Sequence, residues 1–178
     1  MKETPHEAGP LEVSAPIRRQ IVRIHLLEGT EPETSLDADQ VRAVEEELGV
    51  RIPDDILAIM TSGSKLFCQT RKMRIELVRE HQRAVEESEG PTDVFAVGEQ
   101  PDKYGYYVVE NDWEVPPFLL EYDAAQRSLS PWALENWMER KIGDYRSGLL
   151  LEGDHAAQER AGAVPSQQQV EAFEPGLV

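Results

Sequence analysis

Apolar residues recur every three or four positions through the first third of the chain and every second position through much of the middle. In PIRRQIVRIHLLE, residues 16–28, Ile17, Ile21 and Ile24 stand at i, i+4 and i+7, the spacing of one helical face. Val22, Ile24 and Leu26 also alternate with Arg23 and His25, which leaves a strand open. GTEPETS at 29–35 reads as a linker. The next segment, LDADQVRAVEEELG, is the clearest. Asp37 can cap a helix, Gln40 lies three residues on, and Val41, Val44 and Leu48 form an apolar stripe. Gly49 sits where a left-handed helix terminus is wanted. The chain restarts as VRIPDDILAIMTSG. Pro53 suits the first helical position, and Asp54 and Asp55 favour the positive end of the helix dipole. Ile56, Ile59 and Met60 face inward, and Ser62-Gly63 ends the run. Two short helices joined by a tight corner are predicted.

The period then changes. Met73, Ile75 and Leu77 alternate with Arg74 and Glu76 and predict a strand, and HQRAVEESEG predicts a short polar helix. Strands follow at 94–97 (VFAV), 106–110 (YYVVE) and 118–122 (FLLEY), separated by the turn-rich GEQPDKYG and the corner NDWEVPP. After the turn DAAQRS, the run LSPWALENWMERKI predicts a final helix. Ser130 is its cap, Pro131 its first residue, and Leu134, Trp137, Met138 and Ile142 its stripe. Residues 1–14 are polar and read as a loose tail. From about Asp144 the pattern fades, and the Ala, Gln, Gly and Pro of 146–178 predict disorder. The expected organisation is an N-terminal extension over 1–35 that includes the 16–28 helix, a domain over 36–145, and a disordered tail over 146–178.

Charge changes this picture more than composition does. The 178 residues carry 34 acids and 18 bases, a net charge of −16, and most of the imbalance is local. Residues 86–123 hold 11 acids and a single base, Lys103. Such a surface repels polyanions, which argues against nucleic acid as a partner, and it attracts a basic protein through a field that salt weakens. The length suits one domain plus tails. No apolar run approaches the roughly 20 residues that span a bilayer, so no membrane role is expected. The N-terminal MKETPHEAGP has no apolar core of the secretory kind. One cysteine, Cys68, fits a reducing compartment. A cytoplasmic location is the expectation.

Little in the sequence demands catalysis. His6, His25, His81 and His155 lack ligand spacing, so neither a metal nor another cofactor is expected. Glu110, Asp112 and Glu114 alternate without the glycine of a calcium loop. Cys68, in LFCQT, has no adjacent base and reads as a core residue. Ser62-Gly63-Ser64-Lys65 matches S-x-x-K by itself, without its partner motifs. No phosphate-cradling glycine motif occurs. No catalytic residue is assigned, and the chain is not expected to be an enzyme. The aromatics suggest binding instead. Tyr104, Tyr106, Tyr107 and Trp113 lie in the acidic segment. Tyr106 and Tyr107 suit a sheet core. Trp113, in a corner between acids, suits an exposed anchor for a Lys/Arg-rich partner. Trp132 and Trp137 suit helix packing. The candidate partner-binding set is Asp102, Tyr104, Glu110, Asp112, Trp113 and Glu114.

The run VRAVEEELGVRIPDDILAIMTSG resembles the opening of the SUKH superfamily, the Smi/Knr-like domains. The features are Glu45 to Glu47 before Leu48-Gly49, then Ile52-Pro53, Asp54 and Ile56. The later FAVGEQPDKYGYYVVENDWEVPPFLLEY and LSPWALENWMERKI are also similar, so the resemblance covers residues 36–142. Ser62-Gly63 stands where Asn-Gly is usual. The resemblance implies an α+β fold, with a curved, mainly antiparallel sheet packed against the N-terminal helix pair and a C-terminal helix. It implies a non-enzymatic binding domain, an immunity protein that neutralises a basic toxin domain of nuclease or deaminase type. The alternative it carries is a regulatory or scaffold module with an unrelated partner. It supplies no shared catalytic set. A monomer or weak dimer is expected.

Overall fold

The structure is a computed structural model and describes residues 4–101, 104–153 and 155–178. In chain order, a two-residue strand β1 (Gly9–Pro10) leads into α1 (Ala15–Glu28). Extended Ser14 precedes α1, Pro16 occupies its first turn, and Gly29 ends it in the left-handed region at φ 71°. Helix rather than strand forms because Ile17, Ile21 and Ile24 then bury together, at 3%, 0% and 0% exposure. A second two-residue strand, β2 (Ser35–Leu36), precedes α2 (Ala38–Leu48). The Asp37 carboxylate caps α2, accepting from the amides of Asp39 and Gln40 at 2.9 and 3.4 Å. Gly49 closes it at φ 67°. The third helix, α3 (Asp54–Ser62), starts one residue after Pro53, so the proline precedes the helix instead of opening it. Ile56, Leu57, Ala58 and Ile59 of α3 are wholly buried.

One local expectation changes in the next stretch. Residues 65–70 form a π-helical turn, and Cys68 is buried in it with its thiol donating to the Ile59 carbonyl at 3.1 Å. Residues 73–77 do not make a strand. A 3₁₀ turn over Ile75–Leu77 runs directly into α4 (Val78–Glu87). Turning there lets Ile75 and Val78 bury together at 1% and 0% exposure, which alternation along a strand would not allow.

The main sheet is open, antiparallel and four-stranded: β3 (Val94–Glu99), β4 (Gly105–Glu110), β5 (Phe118–Asp123) and β6 (Ser128–Ala133), paired in that order. The first three match the predicted strands. The fourth, β6, takes up the cap and first three residues of the predicted final helix. Asp123 accepts the amides of Ala125 and Gln126 at 2.9 and 3.1 Å and turns the chain back. The hairpin then pairs residue for residue from Asp123↔Ser128 to Phe118↔Ala133, and this non-local pairing overrides the Ser130-Pro131 start signal. Proline is tolerated because β6 is an edge strand. The last long helix, α5 (Leu134–Leu151), therefore begins at Leu134, and its predicted stripe is buried as expected.

The sheet carries apolar side chains on both faces. Phe95, Val97, Tyr107, Val109 and Leu119 join the large core formed with α1, α2, α3 and α5. Trp137 of α5 sits at its centre, 5.0 Å from the Tyr107 ring and 5.4 Å from the Phe67 ring. Val94, Ala96, Val108, Leu120 and Tyr122 face the other way and pack with Val85 of α4. The result is an α+β architecture.

The predicted loose ends are not loose in their described residues. After α5 come α6 (His155–Arg160), α7 (Gln167–Ala172) and β7 (Gly176–Leu177). Ser166 and Gln169 form a capping box at the start of α7. β7 lies between β1 and β2, antiparallel to one and parallel to the other. A Cβ at Gly176 would stand 3.1 Å from the Gly9 carbonyl, so this approach uses glycine. Among the apolar residues of 146–178, Ala157, Val170, Phe173 and Leu177 are buried, while Leu150, Leu151, Val164 and Val178 stay exposed. Arg18 lies over the Phe173 ring at 5.9 Å, and Arg160 donates to the Leu27 carbonyl. Phe173→Ala should therefore lower unfolding stability by roughly 3 kcal/mol, the scale of a buried phenylalanine deletion. Urea denaturation checks this, and a loss below about 1 kcal/mol would show that the C-terminal segment contributes little packing.

Candidate functional site

Three acids that helix polarity alone would explain turn out to organise the surface. Glu45 of α2 has a fully buried side chain. It accepts the His6 amide at 2.8 Å, contacts His6 Nδ1 at 2.8 Å and accepts the Ile52 amide at 2.7 Å. His6 Nε2 meets Asp54 at 2.6 Å, and the other Asp54 oxygen accepts the Glu12 amide at 2.8 Å. Asp55 accepts the amide and hydroxyl of Ser14 at 2.8 and 3.0 Å. Residues 4–14 thus form a strap, clasped across the α2–α3 corner by carboxylates. An ionised carboxylate only accepts, so a ring that meets one at each nitrogen is matched as the doubly protonated imidazolium.

The titration of these groups follows. Burial alone would lower the His6 pKa, but the hydrogen bonds to Asp54 and Glu45 and the charge of Glu45 outweigh it, so the pKa is raised above 6.5. Burial acts to raise Asp54, and the His6 and Glu12 bonds outweigh that and hold it below 3.8. Burial dominates at Asp55 and raises it, with Ser14 opposing.

The strap forms one wall of a groove of about 610 Å³. Glu12, Asp54 and Asp55 line one part of it, and Trp113, Val115 and Pro117 line another. The corner after β4 is seated there because the Trp113 indole donates to the Arg51 carbonyl at 2.6 Å. Arg51 in turn donates to the Thr4 carbonyl at 3.3 Å.

The residues singled out from sequence do not form one patch. Asp102 lies outside the described residues. Tyr104 is 74% exposed but sits just before β4, whereas Glu110 ends that strand, roughly 20 Å away at the rise of an extended chain. Tyr104 lines a separate cavity of about 430 Å³ with Ser88 and Arg127. Glu110, Asp112 and Glu114 are all exposed at the far end, and none of them makes an ion pair among the described residues. Trp113 is 8% exposed, which corrects the expectation of an exposed anchor: its indole N–H finds a carbonyl partner by turning inward. The exposed apolar residues at this end are Val115 and Phe118, at 75% and 57%.

Sequence reading missed His6, Ser14, Glu45, Arg51 and Val115. Glu45 had a signal, since it lies four residues after Val41 on the apolar stripe. His6 had none, because its partners are 39 and 48 residues away.

Other chemical groups are sealed. Burial pushes the Cys68 thiol pKa up, and His25, 2% exposed with Nδ1 2.9 Å from the Thr30 hydroxyl, is lowered by burial to about 4. Among the described residues no group of three or more His, Cys, Asp or Glu is arranged to hold a metal, and no helix is long and apolar enough to cross a membrane. Comparison of the chain with protein-family models, with curated proteins and with solved structures finds no match.

The clasp makes stability pH-dependent in a defined window. A raised His6 pKa adds stability that is fully present below pH 6.5 and is lost as pH rises through the folded value. A lowered Asp54 pKa adds stability that is present above pH 3.8 and is lost as pH falls. Urea unfolding across pH should show the largest gap between the native chain and His6→Asn between about pH 4 and 6.5, narrowing at alkaline pH. A gap that widens with pH would remove His6 from the clasp.

Proposed function

We propose that this chain is a non-enzymatic protein-binding domain of the SUKH-like immunity type. In this reading it neutralises a toxin domain of nuclease or deaminase type by covering a basic cleft. One observation carries the proposal. At a single end of the sheet the exposed acids Glu110, Asp112 and Glu114 stand beside the exposed apolar Val115 and Phe118. Apolar residues exposed next to charges that find no counter-ion among the described residues are what a protein interface offers its partner. A cleft that handles a polyanion is basic, so its charge complements this corner. The motif resemblance over residues 36–142 supports the immunity role. The open antiparallel sheet and the helix pair also agree with the fold that the resemblance implies.

Two measurements test the proposal in sequence. Low-salt capture from the source cell, with a salt gradient and mass spectrometry, should return one stoichiometric basic partner with toxin-like sequence. Asp112→Lys with Glu114→Lys should then slow association on the order of 10-fold at low salt, with the difference shrinking as salt rises. Both side chains are exposed, so folding should be retained. An unchanged affinity at low salt would take the acidic corner out of the interface. A partner with neither basic character nor toxin chemistry would replace the immunity role with the regulatory one.

A further inference from the structure

We propose that the groove between the 4–14 strap and the 113–117 corner is a docking slot for an extended cationic segment of a protein partner. A lysine or arginine stem lies on Trp113, Val115 and Pro117, with its charged head turned to Glu12, Asp54 and Asp55. This rests on the protein-binding reading and names the chemistry of the part of the partner that enters the groove.

The volume, about 610 Å³, falls inside the range of roughly 300–1,000 Å³ typical of ligand-holding pockets. The lining is split by chemistry. Val13, Pro53, Trp113, Val115 and Pro117 are apolar, and Glu12, Asp54 and Asp55 are acidic. Two cations oppose the acids, and both are engaged. His6 is held between Glu45 and Asp54, and Arg51 donates to the Thr4 carbonyl. Counting Glu45 behind His6, four carboxylates face two cations, and Asp112 and Glu114 flank the groove residue Trp113 in the chain. The slot therefore joins an apolar corner of Trp113, Val115 and Pro117 to a strap and α3 start that carry a net negative charge.

Long cationic side chains match that division, because their methylene stems cover apolar surface while the head stays polar. A wholly apolar segment would strip water from the Glu12 carboxylate and from the partly buried Asp54 and Asp55 without returning a charge. An anionic one would be repelled. Arginine suits the site better than lysine, since its planar fork can pair at two points with the exposed Glu12 carboxylate. Because the strap is tied at His6, Glu12 and Ser14, the slot is formed before a partner arrives, which lowers the ordering cost of binding.

The test is NMR titration of the full chain with the capped tripeptide acetyl-Leu-Arg-Leu-amide. The Leu-Gln-Leu and Leu-Glu-Leu analogues and spermidine serve as comparisons. The arginine peptide should shift the Trp113 indole N–H and the amides of Ser14, Asp55 and Val115. The glutamate peptide should leave them unmoved. Val115→Lys, at a residue 75% exposed, should keep the remaining spectrum and weaken the arginine peptide at least 10-fold. Equal shifts from the glutamine and arginine peptides would overturn the proposal. So would spermidine binding as strongly as the peptide, or shifts scattered over the acidic surface. The two readings fail separately. A captured basic partner that depends on Asp112 and Glu114 but is indifferent to Val115→Lys overturns the slot alone. A specific peptide titration without a toxin-like partner overturns the immunity role and supports the slot.

Discussion

A carboxylate shielded from water has to find its partners inside the chain, and Glu45 finds three. They come from two separate stretches, so one side chain sets both the 4–14 strap and the 50–53 spacer against α2. The spacer carries Arg51, whose carbonyl receives the Trp113 indole. The hairpin corner after β4 is therefore positioned through the same residue, two bonds removed. Strap, spacer and corner are the three walls of the groove, and all refer back to a single acid on an otherwise apolar stripe.

The acidity of the chain thus serves two separate ends. Glu45, Asp54 and Asp55 are internal connectors, each occupied by backbone or side-chain donors. Some acids of the negative middle segment have bases from elsewhere: Glu99 with Lys72, Glu121 with Lys141, Glu89 with Arg127. The exposed Glu89–Arg127 and Glu99–Lys72 pairs add little stability, but all three pairs locally cancel the field. Among the described residues, no base pairs with the acids of the corner. A net charge of −16 describes none of this, because what matters outside the molecule is the charge that the fold does not neutralise.

Local signals were legible where local physics decides. The stripe and caps of α2, the glycine at its end, the strands β3 to β5 and the buried face of α5 all follow from spacing and turn chemistry. The failures share one cause. β6 was hidden by a helix-start signal that its pairing with β5 overrode. Residues 73–77 alternate like a strand but bury better as a turn into α4. The 146–178 segment shows no sustained apolar period, yet Phe173 and Leu177 find burial supplied by α1 and by strands over a hundred residues earlier. The site shows the same division. The exposed acids of the corner could be read from the charge run. The inward turn of Trp113 and the clasp on His6 depend on partners far away in sequence, which no local pattern encodes.

β7 pairs on one side with β1 and on the other with β2, so two strands made early have no partner until residues 176–177 have been synthesised. Translation is vectorial and domains fold as units. During synthesis the face of α1 that receives Phe173 is bare, and the flanking strand edges are open. A chain interrupted anywhere before that point keeps those surfaces on display to chaperones and proteases. The order of residues 9–36 is thereby tied to residues made about 140 positions later.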